Sequence, residues 1–99
     1  MASILLVEDE ENIRTLLKLN FELEGYEVSQ AQTGLEALKA IKNEYFDLVV
    51  LDIMLPEMDG IAVCESIRLQ NIDTPILFLS AKGAADDRIK GLKVGGDDY

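Results

Sequence analysis

The feature that most constrains the fold is an uninterrupted apolar run, residues 48–51, that ends in a carboxylate at Asp52. Such a run predicts a strand buried on both faces, as in a parallel sheet that is covered by helices. A carboxylate at the end of a buried strand is costly unless it is paired or binds a cation. Asp52 therefore needs a partner.

Two further apolar runs end in polar groups. Glu8 and Asp9 follow residues 4–7, and Ser80 follows residues 76–79. Because the carboxyl ends of parallel strands lie at one edge of a sheet, the polar groups of all three strand ends are expected to converge. Each residue alone is explained more simply as a helix cap or a turn residue. Together they favour a functional site.

Strands and helices alternate along the whole chain with short connections. Apolar runs predict strands, and apolar residues at helical spacing predict helices between them. The predicted order is strand 4–7, helix 10–24, strand 26–31, helix 35–44, strand 48–51, a third helix ending near residue 69, strand 76–79 and helix 84–94. This alternation predicts an α/β domain with a parallel sheet, whose ligands bind at the carboxyl ends of the strands.

Length and charge exclude several classes of protein. A chain of 99 residues predicts one domain, and its net charge of −10 argues against nucleic acid or an anionic membrane as its partner. No stretch approaches the ~20 apolar residues of a membrane span, and no signal peptide is recognisable. A lone Cys64 suits a reducing cytoplasm. The absence of histidine excludes a Cys/His zinc site and a Ser-His-Asp triad.

Converging carboxylates define the chemistry that the site supports. They repel one another unless a cation screens them. Hard oxygen ligands suit Mg²⁺ or Mn²⁺, and a main-chain carbonyl just beyond Asp52 adds another oxygen. Asp52 would then serve as a nucleophile that forms an aspartyl phosphate, and Ser80 would donate a hydrogen bond to the phosphoryl group.

With these motifs the sequence resembles the receiver domain of two-component response regulators, in the CheY-like superfamily. The resemblance implies a flavodoxin-like, three-layer αβα fold with strand order 2-1-3-4-5. It implies a signalling domain rather than an enzyme, with a sensor histidine kinase as its partner. The matching stretches are residues 4–10, 48–60, 75–82 and 91–99.

The resemblance also implies roles for individual residues. Asp52 would accept the phosphoryl group from the kinase, and Ser80 would be the hydroxyl that moves toward it as the conformational switch. The Mg²⁺ ion would be held by the carboxylates of Glu8, Asp9 and Asp52 and by the main-chain carbonyl of Met54.

The sequence departs from the family at its end. Family members continue beyond the Asp-Asp-Tyr segment into a fifth strand, a lysine that pairs with the phosphate, and a fifth helix, whereas this sequence ends at Tyr99. Lys82 lies one loop too early to replace that lysine. We therefore expect residues 1–99 to form a C-terminally incomplete receiver with strand order 2-1-3-4. Its exposed fourth strand and first helix are expected to drive self-association.

Three other interpretations remain open at this point. The chain is alternatively a truncated receiver-fold fragment that self-associates and has no phosphotransfer of its own. A metal-dependent phosphatase with an aspartyl-phosphate intermediate needs a second acid two residues after the nucleophile, where this chain has Met54. A nucleotide or flavin binder needs a glycine-rich phosphate loop, and neither common form of that loop follows a strand here.

Overall fold

The computed structural model describes residues 2–79, which form a parallel sheet and three helices. The sheet has the order β2-β1-β3-β4, and each neighbouring pair is parallel. The predicted α/β fold and the strand order 2-1-3-4 are confirmed. The helix predicted over residues 84–94 lies outside the described residues. The elements are β1 Ser3–Val7, α1 Glu11–Leu23, β2 Glu27–Ala31, α2 Gly34–Asn43, β3 Leu48–Asp52, α3 Gly60–Leu69 and β4 Ile76–Leu79.

The central strands bury both faces, as their uninterrupted apolar runs predict. Ile4, Leu6 and Val50 form one cluster, against which Leu17 and Phe21 of α1 pack. Each apolar side chain of this size contributes about 1.5–3 kcal/mol when it is fully buried. The opposite face packs against α2 and α3 in a larger cluster that includes Leu5, Val49, Leu51, Ala37, Ile41, Val63 and Ile67. The result is a three-layer αβα arrangement.

Helix α1 contacts the sheet through a narrower stripe than its apolar residues predict. Leu17 and Phe21 are partly buried against the sheet, and the helix packs on β1 and β2. The buried residue of this helix is Arg14. Within residues 2–79, no helix combines the length and the apolarity that a membrane span needs. Apart from Leu17 and Phe21, the large apolar side chains of α1 are exposed: Ile13, Leu16, Leu19 and Leu23.

The loop between β3 and α3 is closed by short hydrogen bonds. The Gly60 N–H donates to the carbonyl oxygen of Ile53 at 2.9 Å. Asp59 caps α3, since its Oδ1 accepts a hydrogen bond from the Ala62 N–H at 2.8 Å. A capped helix and a closed loop fix the main chain that follows β3, and with it the position of Asp52.

Candidate metal centre

Three carboxylates meet at the carboxyl edge of the sheet. Val7 and Leu51 are partners in the parallel pairing of β1 with β3, so the residues that follow them, Glu8 and Asp52, lie side by side. One carboxylate oxygen from each of Glu8, Asp9 and Asp52 lies within 4.8 Å of the other two. Glu8 is 4% exposed and Asp52 is 9% exposed, while Asp9 faces solvent. The structure therefore brings together the three carboxylates that the sequence predicts at this edge.

The two buried carboxylates are each held by a main-chain amide two residues further along. Glu8 accepts a hydrogen bond from the Glu10 N–H at 3.0 Å, and Asp52 accepts one from the Met54 N–H at 3.0 Å. The simpler explanation of Glu8 and Asp9 as caps of α1 does not hold. The N-cap of that helix is Glu10, which has no side-chain capping bond.

Burial raises the pKa of Glu8 from 4.5 to about 7, and the charge of the neighbouring Asp52 acts in the same direction. The hydrogen bond from the Glu10 amide acts in the opposite direction but does not offset these two effects. Without a cation, the cluster therefore retains a proton close to neutral pH. A divalent cation that binds the carboxylates displaces this proton, because the ionised groups are the ligands.

The carboxylates line a cleft of about 530 Å³. Met54 lines the same cleft, and its main-chain amide lies next to the cluster because it donates to Asp52. Leu79, the last residue of β4, also lines it. The predicted switch residue Ser80 follows Leu79 and lies outside the described residues. The other lining residues are Glu10, Ile13 and Leu17.

The donor set fits a hard divalent cation. Its members are carboxylate oxygens, two of the three groups are buried, and the cleft leaves room for water or phosphate oxygens. Within the part of the chain that the structure describes, no lysine or arginine forms an ion pair with the cluster. The negative charge is therefore not neutralised by these residues.

Two further residues shape the site, and Arg14 among them was not predicted from the sequence. Arg14 is 8% exposed, and its guanidinium donates to the main-chain carbonyl of Glu8. The available signal was its helical spacing, since Arg14 shares the sheet-facing stripe with Leu17 and Phe21 at positions i, i+3 and i+7. Gly60, the last residue of the matching stretch 48–60, is the first residue of α3 and packs against the main chain of Asp52.

The fold and the acidic edge define a parallel α/β domain with a candidate divalent-cation site, and the sequence comparison gives its family. Residues 4–99 match the family described as the response regulator receiver domain, and the chain belongs to this family. Receiver domains of two-component response regulators are phosphorylated on an aspartate by sensor histidine kinases, and they bind Mg²⁺ through an acidic pocket. The family resemblance that the sequence motifs indicated is confirmed.

Curated relatives are regulators of transcription. The chain is 52% identical over 96 residues to the alkaline phosphatase synthesis transcriptional regulatory protein PhoP of Bacillus subtilis, covering 97% of this chain and 40% of the relative. It is 48% identical over 96 residues to the probable transcriptional regulator ycf27 of Pyropia yezoensis, covering 97% of this chain and 39% of the relative. The chain thus spans about two fifths of the length of these relatives.

Solved structures share the fold closely. The receiver domain of a Francisella response regulator superposes with a TM-score of 0.95 at 38% identity, and the match covers 100% of this chain and 82% of that one. The response regulator TrrA of Thermotoga maritima, solved in complex with Mg²⁺ and BeF, superposes with a TM-score of 0.90 at 40% identity. That match covers 100% of this chain and 84% of that one.

Proposed function

We propose that this chain receives a phosphoryl group from a sensor histidine kinase on Asp52. The observation that carries the proposal is the group of three carboxylates whose oxygens lie within 4.8 Å of one another, two of them buried, at the carboxyl edge of a parallel sheet. A structural role alone does not account for this cluster, since buried carboxylates without ion pairs destabilise a fold.

Asp52 is the proposed nucleophile. Its Oδ1 accepts the Met54 N–H, which fixes the carboxylate and leaves Oδ2 to attack the phosphorus atom. The new bond joins Oδ2 to phosphorus, and the bond that breaks joins phosphorus to the imidazole nitrogen of the kinase phosphohistidine. The leaving imidazole keeps the electron pair of the broken bond and takes up a proton.

The proposed ligands of Mg²⁺ are the carboxylates of Glu8, Asp9 and Asp52 and the carbonyl of Met54. When bound, Mg²⁺ neutralises charge on the phosphoryl group that is transferred. Mn²⁺ is proposed as a substitute because it also prefers carboxylate oxygens. The complex of Thermotoga TrrA with Mg²⁺ and BeF supports this part of the proposal.

Ser80 is proposed as the switch hydroxyl because it directly follows Leu79, which lines the cleft.

The proposed setting is cytoplasmic signalling by residues 1–99 as a receiver domain, without enzymatic turnover of a separate substrate. Cys64 is the one cysteine of the sequence, so no disulfide forms within these 99 residues, which suits a reducing compartment. Because the chain carries a net charge of −10, we place any nucleic-acid contact of the whole regulator outside this chain. The names of the curated relatives support transcriptional output from such a regulator.

Self-association is a second candidate function, with or without phosphotransfer. Two observations favour it. Leu16, Leu19 and Leu23 form exposed apolar surface on α1. In addition, β4 is an edge strand of the described sheet. Sedimentation of the wild type and of Leu19→Glu tests this candidate. We expect an oligomer that the substitution converts to monomer, and a monomeric wild type at high concentration would contradict it.

Beryllofluoride binding in the presence of Mg²⁺ tests the phospho-accepting function. Beryllofluoride mimics the phosphoryl group. The NMR signals of the Glu10 and Met54 amides report on the carboxylates to which these amides donate. We expect these signals to shift and saturate in the wild type and in Asp59→Asn, but not in Asp52→Asn. An equal response of Asp52→Asn, or no response of the wild type, would contradict the proposal.

A further inference from the structure

Arg14 joins α1 to the loop that carries two of the carboxylates. Its Nη1 donates to the carbonyl oxygen of Glu8 at 2.9 Å and to that of Asp9 at 3.4 Å. Its Nε donates to Oε1 of Gln30 on β2 at 3.2 Å. One buried guanidinium thus connects the first helix, the acidic loop and the edge of the sheet.

The acceptors of Arg14 are neutral. Among the residues that the structure describes, Arg14 is the buried cation, and Glu8 and Asp52 are the buried carboxylates. Its donors nevertheless bind main-chain carbonyls and an amide, and it forms no ion pair with the described carboxylates. A planar guanidinium has several donors in fixed directions, so it can hold two acceptors in one geometry.

We infer that Arg14 is a positioning residue for the metal centre: it holds the main chain of Glu8 and Asp9 so that their carboxylates face Asp52. The inference rests on the proposed Mg²⁺ site. It assigns Arg14 no contact with the cation or the phosphoryl group. Its role is to set the geometry of the ligands through their own main chain.

Positioning and simple electrostatics predict opposite signs for the loss of Arg14. Removing a positive charge near a cation site strengthens cation binding if charge alone matters. Removing the hydrogen bonds that orient ligands weakens metal binding, typically by 10–100-fold. The direction of the change therefore separates the two explanations.

Arg68 provides a matched control. Its Nη1 donates to the carbonyl oxygens of Ile72 at 2.9 Å and Thr74 at 2.8 Å, in the loop that precedes β4. This loop enters β4 at the amino end of the strand, away from the carboxyl edge that holds the cluster. Arg68→Gln therefore removes an arginine that bridges a loop without disturbing the acidic site.

The experiment measures Mg²⁺ binding by calorimetry in the full chain and its variants, with urea unfolding to establish that each is folded. We expect Arg14→Gln to weaken Mg²⁺ binding about tenfold and Arg68→Gln to leave it within about twofold while lowering stability. Without metal, we expect the Glu10 amide, which donates to Glu8, to exchange faster with solvent in Arg14→Gln than in the wild type. If Arg14→Gln does not fold, Gln30→Ala replaces it, with a smaller loss in the same direction.

Unchanged or tighter Mg²⁺ binding in the Arg14→Gln variant, or in Gln30→Ala as its replacement, would overturn the inference. An equal loss in Arg68→Gln would also overturn it, because the effect would then be general destabilisation. A wild type that binds Mg²⁺ while Arg14→Gln binds it equally well leaves the proposed function intact. A wild type that binds no Mg²⁺ refutes the metal site and the inference together.

Discussion

Gly60 packs directly against the main chain of Asp52. A Cβ atom on Gly60 would collide with the carbonyl oxygen of Asp52 and would lie 2.8 Å from the Cα of Ile53. Gly60, the first residue of α3, thus contacts the peptide bond between Asp52, the proposed phosphoryl acceptor, and Ile53. The position of Asp52 consequently depends on a close approach that only glycine permits.

Gly60→Ala is expected to lower the free energy of unfolding by about 1–3 kcal/mol, since the backbone must shift to admit the methyl group. It is also expected to reduce phosphorylation of Asp52, because the shift moves that residue. Urea unfolding and phosphorylation rates check both effects. Gly25→Asn is the control, because Gly25 has φ +95° but open space around it. Equal phosphorylation defects in the two variants would contradict this account.

Asp52→Asn is expected to stabilise the metal-free protein by about 1 kcal/mol, as often happens when a functional site loses an unfavourable group. The substitution removes one of two adjacent buried carboxylates and keeps the oxygen that accepts the Met54 N–H. Urea unfolding in the presence of a chelator measures the change. A destabilised Asp52→Asn variant would show that mutual repulsion in the cluster is not a significant cost.

The raised pKa of Glu8 predicts how stability depends on pH. Between pH 4.5 and about 7 the folded state binds more protons than the unfolded chain, so the free energy of unfolding falls as the pH rises through this window. Saturating Mg²⁺ is expected to reverse this trend, because binding requires the ionised carboxylate. Unfolding measured at several pH values, with Glu8→Gln as control, checks the prediction. The same pH slope in Glu8→Gln would assign the effect to another group.

Asp59 is expected to act as a helix cap and not as a metal ligand. Asp59→Ala removes the acceptor for the Ala62 N–H and should cost about 1 kcal/mol. Thr33→Ala, which removes the corresponding cap of α2, should cost a similar amount. Mg²⁺ affinity, measured by calorimetry, is expected to stay unchanged in both variants. A loss of affinity in Asp59→Ala alone would extend the metal centre into the β3–α3 loop.

The fold could be predicted from the sequence because three of its four strands are easily recognised. Continuous apolar runs marked β1, β3 and β4, and parallel strands bring their ends to one edge, so Glu8 and Asp52 were expected to meet. The boundaries of α1 differ by one residue at each end, since helix termini depend on capping contacts. Ser80 stays a prediction, because it lies outside the described residues.

The role of Arg14 was not predictable in the same way. An arginine in an amphipathic helix is usually solvated, and its burial here depends on acceptors supplied by a loop and by a neighbouring strand. The close approach of Gly60 likewise depends on how the loop folds over the end of β3. Helical spacing places Arg14 on the sheet-facing stripe of α1, but the partners of Arg14 and Gly60 are set by tertiary packing, which hydrophobic periodicity does not encode.

The central claim is that Asp52 accepts a phosphoryl group, and intact-mass spectrometry after incubation with acetyl phosphate and Mg²⁺ tests it most directly. The account predicts the addition of one phosphoryl group to the wild type and to Asp59→Asn, with none on Asp52→Asn. It also predicts loss of the group on treatment with hydroxylamine, which cleaves acyl phosphates. Equal modification of Asp52→Asn, or an unmodified wild type, would contradict the account.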